Sequence, residues 1–353
     1  MKKTLTLILL CSTLYSLAQQ DPYYTHFKDV IEAYNPAAAG HKYGEICLSG
    51  LTHHQWRDFD DATRTRGSNA TGNPSDLVED VAPVTYNLNV GSVFQLDRAQ
   101  TQYMGAGLSI IQDKVGYTLS TSFMLNLNYR RKLQGGAHEI SGGIGIGGTQ
   151  WGWDQPKYVA RQLQDPNIPV SGGNEMKLDM NIGVMYKKQR LGRDFKDFYA
   201  GFSMTNINQS RYLVSVNTLG GGQANLSRQY VPHYYTIVGA DYDVGGITLE
   251  PAILMKYGLL QKAYVPQVDL NVTALMANTF RGGLAFRQWG NSDALSVLLG
   301  YQTGPLEVGY AYDITLSNVQ QVSNGTHEIM LKYCIPFSTE PPIKIIRESV
   351  RFL

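Results

Sequence analysis

The stretch Leu119-Ser120-Thr121-Ser122-Phe123-Met124-Leu125-Asn126-Leu127-Asn128-Tyr129-Arg130 decides the fold class. Leu119, Thr121, Phe123, Leu125, Leu127 and Tyr129 fall on one face of an extended chain. Ser120, Ser122, Asn126, Asn128 and Arg130 fall on the other, with Met124 the exception. A period of two marks a β-strand with one apolar and one wet face, because successive side chains leave opposite sides of the pleat. The pattern returns in 178–188, where Leu178, Met180, Ile182, Val184 and Tyr186 alternate with Asp179, Asn181, Gly183 and Lys187. It returns again in 267–276 (Val268, Leu270, Val272, Ala274, Met276) and in 305–314 (Leu306, Val308, Tyr310, Tyr312, Ile314).

Such strands build either a soluble sandwich, whose apolar faces meet in a core, or a membrane barrel, whose apolar faces meet lipid. The candidate strands run about ten residues each, longer than the five or six usual in soluble sheets. They fall near 44–54, 84–95, 102–112, 118–131, 138–150, 177–188, 197–208, 230–243, 247–257, 264–276, 279–287, 294–303, 305–314 and 326–335, about fourteen in all. Connections after odd-numbered strands are mostly long (55–83, 151–176, 209–229, 315–325), and those after even-numbered strands mostly short. Outer-membrane barrels show that asymmetry, with short periplasmic turns and long surface loops, and a sandwich has no need of it. Tyr and Phe recur near strand ends, as an aromatic girdle requires. The expected fold is all-β: a transmembrane outer-membrane barrel of about fourteen antiparallel strands.

The 353 residues carry 17% charged side chains and a formal net charge of +1, which leaves no electrostatic footprint for nucleic acid. Residues 1–18 read as a secretory signal: Lys2 and Lys3, an apolar run Leu5–Leu10, and Ser16-Leu17-Ala18 as cleavage site. No later stretch reaches 18 consecutive apolar residues, so crossing a membrane falls to strands. The expected division is a signal peptide (1–18), an N-terminal periplasmic or plug segment (19–43), the barrel (44–335) and a periplasmic tail (336–353).

Beyond Cys11 in the signal, the cysteines are Cys47 and Cys334, too few to be a disulfide scaffold. They fall in the first and last strands, which closure makes neighbours, on the interior face toward the periplasmic end. Two readings stand: unrelated small residues, or a pair that can oxidise across the seam.

Chemical motifs are otherwise missing. Gly143, Gly145 and Gly148 formally spell GxGxxG, but they alternate with Ile144 and Ile146 inside a strand, without the helix that the dinucleotide fingerprint needs. His53 and His54 point to opposite strand faces, poor geometry for one metal. Asp60 and Asp61 sit in a polar loop and read as solvated. We therefore expect a non-enzyme, with no catalytic, cofactor-binding or metal-binding residues.

An ordered set of landmarks is more specific: Gln20-Asp21-Pro22-Tyr23-Tyr24-Thr25-His26-Phe27, Tyr34-Asn35-Pro36-Ala37-Ala38-Ala39-Gly40, Gln55-Trp56, Asp113-Lys114-Val115-Gly116 after the third strand, Gly309-Tyr310-Ala311-Tyr312-Asp313 and Thr326-His327-Glu328-Ile329. Together, over residues 19–335, these resemble the PorP/SprF family of outer-membrane proteins of type IX secretion and gliding motility in Bacteroidota. The first long loop departs from the family pattern: His53-His54 precede Gln55-Trp56, and Arg57 follows it. The resemblance implies a FadL-like barrel in the Gram-negative outer membrane that helps secrete or hold a particular surface adhesin. Its implied partners are the adhesin's C-terminal sorting domain, periplasmic parts of the secretion or gliding apparatus, and outer-membrane lipid. The alternative is a FadL-like transporter of small hydrophobic compounds, which the mostly Gly, Ser, Asn and Asp interior faces disfavour.

A lumen of this strand number is too wide for wall side chains to fill. The aromatic segment 19–43 is expected to fold into it, or to lie outside as a periplasmic strap. Leu125→Arg should cost about 2–4 kcal/mol at mid-bilayer, and Asn126→Arg, one residue on, should be nearly neutral.

Overall fold

A computed structural model describes residues 21–57, 82–153, 166–258, 266–288, 294–317, 320 and 323–337. The signal, the tail beyond Phe337, and Asp60 and Asp61 lie outside these residues. The strands are β1 (Glu45–His54), β2 (Val84–Gln95), β3 (Gln102–Val115), β4 (Thr118–Leu133), β5 (His138–Trp153), β6 (Gly173–Leu191), β7 (Phe195–Thr205) and β8 (Arg211–Asn217). They continue with β9 (Gln223–Gln229), β10 (His233–Val244), β11 (Ile247–Gly258), β12 (Gln267–Met276), β13 (Phe280–Gln288), β14 (Ala294–Thr303), β15 (Leu306–Thr315) and β16 (Thr326–Pro336).

All except β8 and β9 pair antiparallel with their neighbours and close β1 onto β16, a fourteen-stranded barrel. Closure follows from the alternation: with one face greasy and one polar, an open sheet would leave two unpaired edges in lipid, each unsatisfied backbone group costing several kcal/mol, on the order of the figure for amides in hydrocarbon. The faces are as the pleat dictates. Leu125 is 46% exposed on the outside, whereas Asn126 beside it is 2% exposed inside. Outer aromatic residues gather toward both ends: Tyr129, Phe280, Tyr301 and Tyr333 near the short turns, Tyr86 and Tyr257 near the loops.

The structure changes three expectations. Asp113, Lys114 and Val115 lie within β3, because the ladder with β2 and β4 continues to Val115↔Thr118. The β3–β4 connection is thus the tight turn Gly116-Tyr117, an exception to the rule of long odd connections. The expected loop 209–229 contains the hairpin β8–β9, in which Tyr212, Val214 and Val216 alternate inward. Its apolar face packs on the far end of β5, with Tyr212 donating its hydroxyl to the Thr149 carbonyl at 2.9 Å. Finally, Asn126 does not face open water: it donates to Ser109 Oγ at 3.2 Å, and a Cβ on Gly145 would lie 2.6 Å from its Oδ1. Asn126→Arg is therefore a packing substitution with a cost of its own.

Cys47 and Cys334 sit directly opposite in the β1–β16 register, with Cα atoms 4.0 Å apart, and they form a disulfide.

Candidate functional site

Residues 21–43 run through the lumen. Two short 3-10 turns, Ile31–Ala33 and Pro36–Ala38, fold the segment so that its apolar side chains point at one another and at the inner wall. Asn35 caps the second turn, its Oδ1 accepting from Ala37 N at 2.9 Å, with Pro36 at the first helical position where a missing N–H costs nothing. Tyr24, Phe27, Val30 and Tyr34 are buried with Leu51, Tyr235, Ile237, Leu254 and Met330 of the wall. This cluster gives an otherwise wet bore an apolar centre.

Ion pairs and charged hydrogen bonds fix the start of the segment to one side of the wall. Glu328 of β16, 0% exposed, accepts from the backbone N–H of Thr25 (2.9 Å) and of His26 (2.7 Å). Its two oxygens also hold Nδ1 of His26 and of His53 of β1, each at 2.7 Å. A buried carboxylate is tolerated only where its lone pairs are met, and here four donors converge on two oxygens. Next to it, Arg287 of β13 bridges Asp269 (2.7 Å) and Asp313 (3.0 Å), donates to Thr25 Oγ1 at 3.2 Å, and stacks 3.9 Å over the Tyr23 ring. Thr25 Oγ1 in turn donates to Asp313 at 3.0 Å. Lys28 reaches Glu250 (3.2 Å) and Thr273 (2.6 Å). Burial works against the Asp21 carboxylate, yet His233 and Lys256 facing it hold its pKa below the ordinary carboxylate range. Burial likewise opposes a charge on His26, but the Glu328 carboxylate outweighs it and raises the pKa.

The opposite wall holds the end of the segment by close approach. Asn128 of β4 donates to the carbonyls of Pro36 (3.2 Å) and Ala39 (2.7 Å), and Arg130 covers those of Ala38, Ala39 and Gly40. Ser141 caps Ala37 at 3.0 Å and Ser203 caps Tyr34 at 2.7 Å. Glycines make room: a Cβ on Gly143 would lie 2.5 Å from Ala37 N, and one on Gly183 would collide with Asn35 Oδ1. Within the formal GxGxxG, Gly143 is therefore a seat for backbone, whereas Gly145 packs on Asn126 and Gly148 on Met176.

Among the described residues, two spaces stand out beside the segment. A vestibule of about 570 Å³ opens at the short-turn end, lined by charges of both signs including Glu32, His41, Lys187, Asp241 and Lys332. A polar cavity of about 80 Å³ lies on the loop side, touched by Asp21, Asp113, Asp179 and Arg228. Burial pushes the Glu32 carboxyl up to about 7, partly offset by the N–H of Gly40. Among the described residues, the grouping of three possible metal ligands is His41 with Cys47 and Cys334, whose sulfurs are spent on each other.

No residue was expected to serve in catalysis or in binding a cofactor or metal. What the structure assembles instead is part of the set of landmarks seen in the sequence: Tyr23, Thr25, His26, Asp313 and Glu328 meet around Arg287 and His53, while Asn35-Pro36 seat against the opposite wall. His53 and His54 do point to opposite faces; His53 joins that network, and His54 turns outward against Tyr86 with ring centroids 6.1 Å apart. The sequence signal for Glu328 and Asp313 is their parity, which puts both carboxylates on the inward face near the loop ends of the last two strands.

A closed fourteen-stranded barrel with a greasy outside and a plugged interior defines an outer-membrane barrel protein. Residues 16–333 match the family described as type IX secretion system membrane protein PorP/SprF, and the chain belongs to that family. A search of curated proteins finds no match. Among solved structures, the Pseudomonas putida toluene transporter TodX is 9% identical, with 87% of this chain and 93% of that chain covered at a TM-score of 0.47. The translocator domain of the autotransporter NalP from Neisseria meningitidis is 11% identical, with 89% and 96% covered at a TM-score of 0.44. Likeness at these scores adds nothing to the topology already described.

Proposed function

We propose that this protein is a non-enzymatic outer-membrane component of the type IX apparatus that helps secrete or anchor one particular surface adhesin by engaging its C-terminal sorting domain. The observation that carries the reading is the occupied bore. With residues 21–43 tied to the wall by buried ion pairs and capped carbonyls, the barrel works through its two ends rather than as a conduit. The loop end offers the β8–β9 hairpin over an aromatic cluster, where Arg228 lies 4.4 Å from the Tyr230 ring. That end is the side on which cargo would be met. The short-turn end, with the charged vestibule and the seam between Gly44 and Phe337, is the side for periplasmic parts of the apparatus.

The test compares culture medium and cell surface of a deletion strain with those of its parent by mass spectrometry. Loss of one or a few large adhesins is expected. An unchanged surface together with altered uptake of small hydrophobic compounds would overturn the reading in favour of a transporter. Removal of residues 20–38 should raise ion conductance in planar bilayers, and an unchanged conductance would show that the segment does not occlude the bore.

A further inference from the structure

The wall has one place where both neighbouring ladders are interrupted. On one side of β10 the register with β7 slips between Gly239 and Asp241, so Ala240 has no partner there. Asp197 on β7 takes a positive φ of 47° at the slip, the mark of a bulge. On the other side, pairing with β11 stops at Gly239↔Ala252 and resumes at Tyr242↔Leu249. The skipped residues include Pro251, which has no N–H to give a ladder. Ala240 and Pro251 line the outer surface here beside Val238 and Ile253, and they also border the vestibule inside, so the wall is thin at this point. Two small side chains thus floor a notch whose sides are Val238, Ile253, Leu191 and Phe195, an apolar space of about 410 Å³ on the lipid face.

The notch is rimmed by charge. The β6–β7 turn beside Leu191 carries exposed Arg190 and Arg193, neither of which pairs with a carboxylate among the described residues. Lys196, by contrast, is held by Asp243 at 2.8 Å. Asp194 in the same turn and Asp243 across from it are the opposing charges. The turn belongs to the end that carries the short turns, which makes it the periplasmic leaflet. Ala240 lies four residues from the end of β10, about 13 Å along the strand at 3.3 Å per residue. A molecule with its polar end at the arginines would therefore lay its tail across the notch.

We propose that this notch is a binding site for one phospholipid of the periplasmic leaflet, an acyl chain lying over Ala240 and Pro251 and the phosphate held by Arg190 and Arg193. Arginine suits the phosphate because its planar fork donates two parallel hydrogen bonds. The apolar walls suit the chain, since a void there would forfeit dispersion contacts that lipid restores.

The test uses the full chain purified in detergent, depleted of lipid, and titrated with phosphatidylglycerol or with diacylglycerol of the same chains, with bound lipid counted by native mass spectrometry. One phosphatidylglycerol is expected to survive at a detergent concentration that strips diacylglycerol. Ala240→Phe should abolish that retention by filling the floor. Arg190→Gln with Arg193→Gln should weaken phosphatidylglycerol about thirtyfold, each arginine near the surface being worth about a factor of five, and should leave diacylglycerol unchanged. If Ala240→Phe does not fold, the double arginine variant, which alters only exposed side chains, decides alone. Equal retention of the two lipids, or retention untouched by the arginine changes, would overturn the proposal.

Discussion

The lumen segment is held by two walls of opposite character. Along β12 to β16 and β1, the grip is ionic and buried: Glu328, Asp313, Asp269 and Arg287 each meet several partners. Along β4 to β7, neutral amides and hydroxyls, with Arg130, meet bare carbonyls while glycines let backbone touch backbone. The first wall fails by a missing partner; the second fails by steric intrusion. A buried carboxylate fixes position because no other arrangement satisfies it. A glycine seat fixes position because nothing larger fits.

The largest effect should come from the ionic wall. Glu328→Ala leaves His26, His53 and two backbone N–H groups without their acceptor, and breaking a buried pair in this way costs about 3–5 kcal/mol. The expected outcome is a rise in bilayer conductance and faster amide exchange in residues 21–34, with the barrel still resisting cold detergent. If conductance stays at the wild-type level, the ionic wall is not what seats the segment. Leu125→Arg bears on neither wall and sharpens the contrast from outside. It should cost about 2–4 kcal/mol of barrel stability, seen as a lowered unfolding midpoint in urea, without raising the conductance of the folded fraction.

For the close-packed wall, Gly143→Ala drives a methyl into the backbone of Pro36 and Ala37, at about 1–3 kcal/mol as for other overpacked sites. Gly142→Ala, with nothing within 4 Å of the new methyl, is the control. Equal amide exchange in residues 35–40 for the two variants would break the comparison. The smallest effect concerns pH. Burial raises the Glu32 carboxyl to about 7, so the seated segment binds that proton more tightly than the released one. Seating from this group is therefore fully present below the ordinary carboxylate range and is lost as pH rises through about 7. Amide exchange near residues 30–40 should be slower at pH 5 than at pH 8 after correction for intrinsic rates, and Glu32→Gln should reduce that difference.

Alternation alone exposed the wall, because period two and lipid exposure are the same fact seen twice: Leu125 and Asn126 already disclose in and out. It could not disclose the network. Thr25 and Glu328 are 303 residues apart, and their meeting depends on closure and on the angle at which the segment enters, neither of which has a local signature. The hairpin β8–β9 was readable in principle from Tyr212, Val214 and Val216, but its polar partner β9 reads as loop. Asp113 reads as lying just past the third strand; its carboxylate, accepting from Thr85 Oγ1 at 2.7 Å across the ladder, keeps it in the strand. Cys47 and Cys334 left two readings open because sequence fixes their strands and not their register.

The bond between Cys47 and Cys334 also determines how the molecule bears a mechanical load. Both ends of the barrel leave it within a few residues of that bond, where Phe337 N meets Gly44 O at 2.8 Å. A force that pulls Glu45 away from Pro336 is borne by a covalent crosslink before it can peel the first strand from the last.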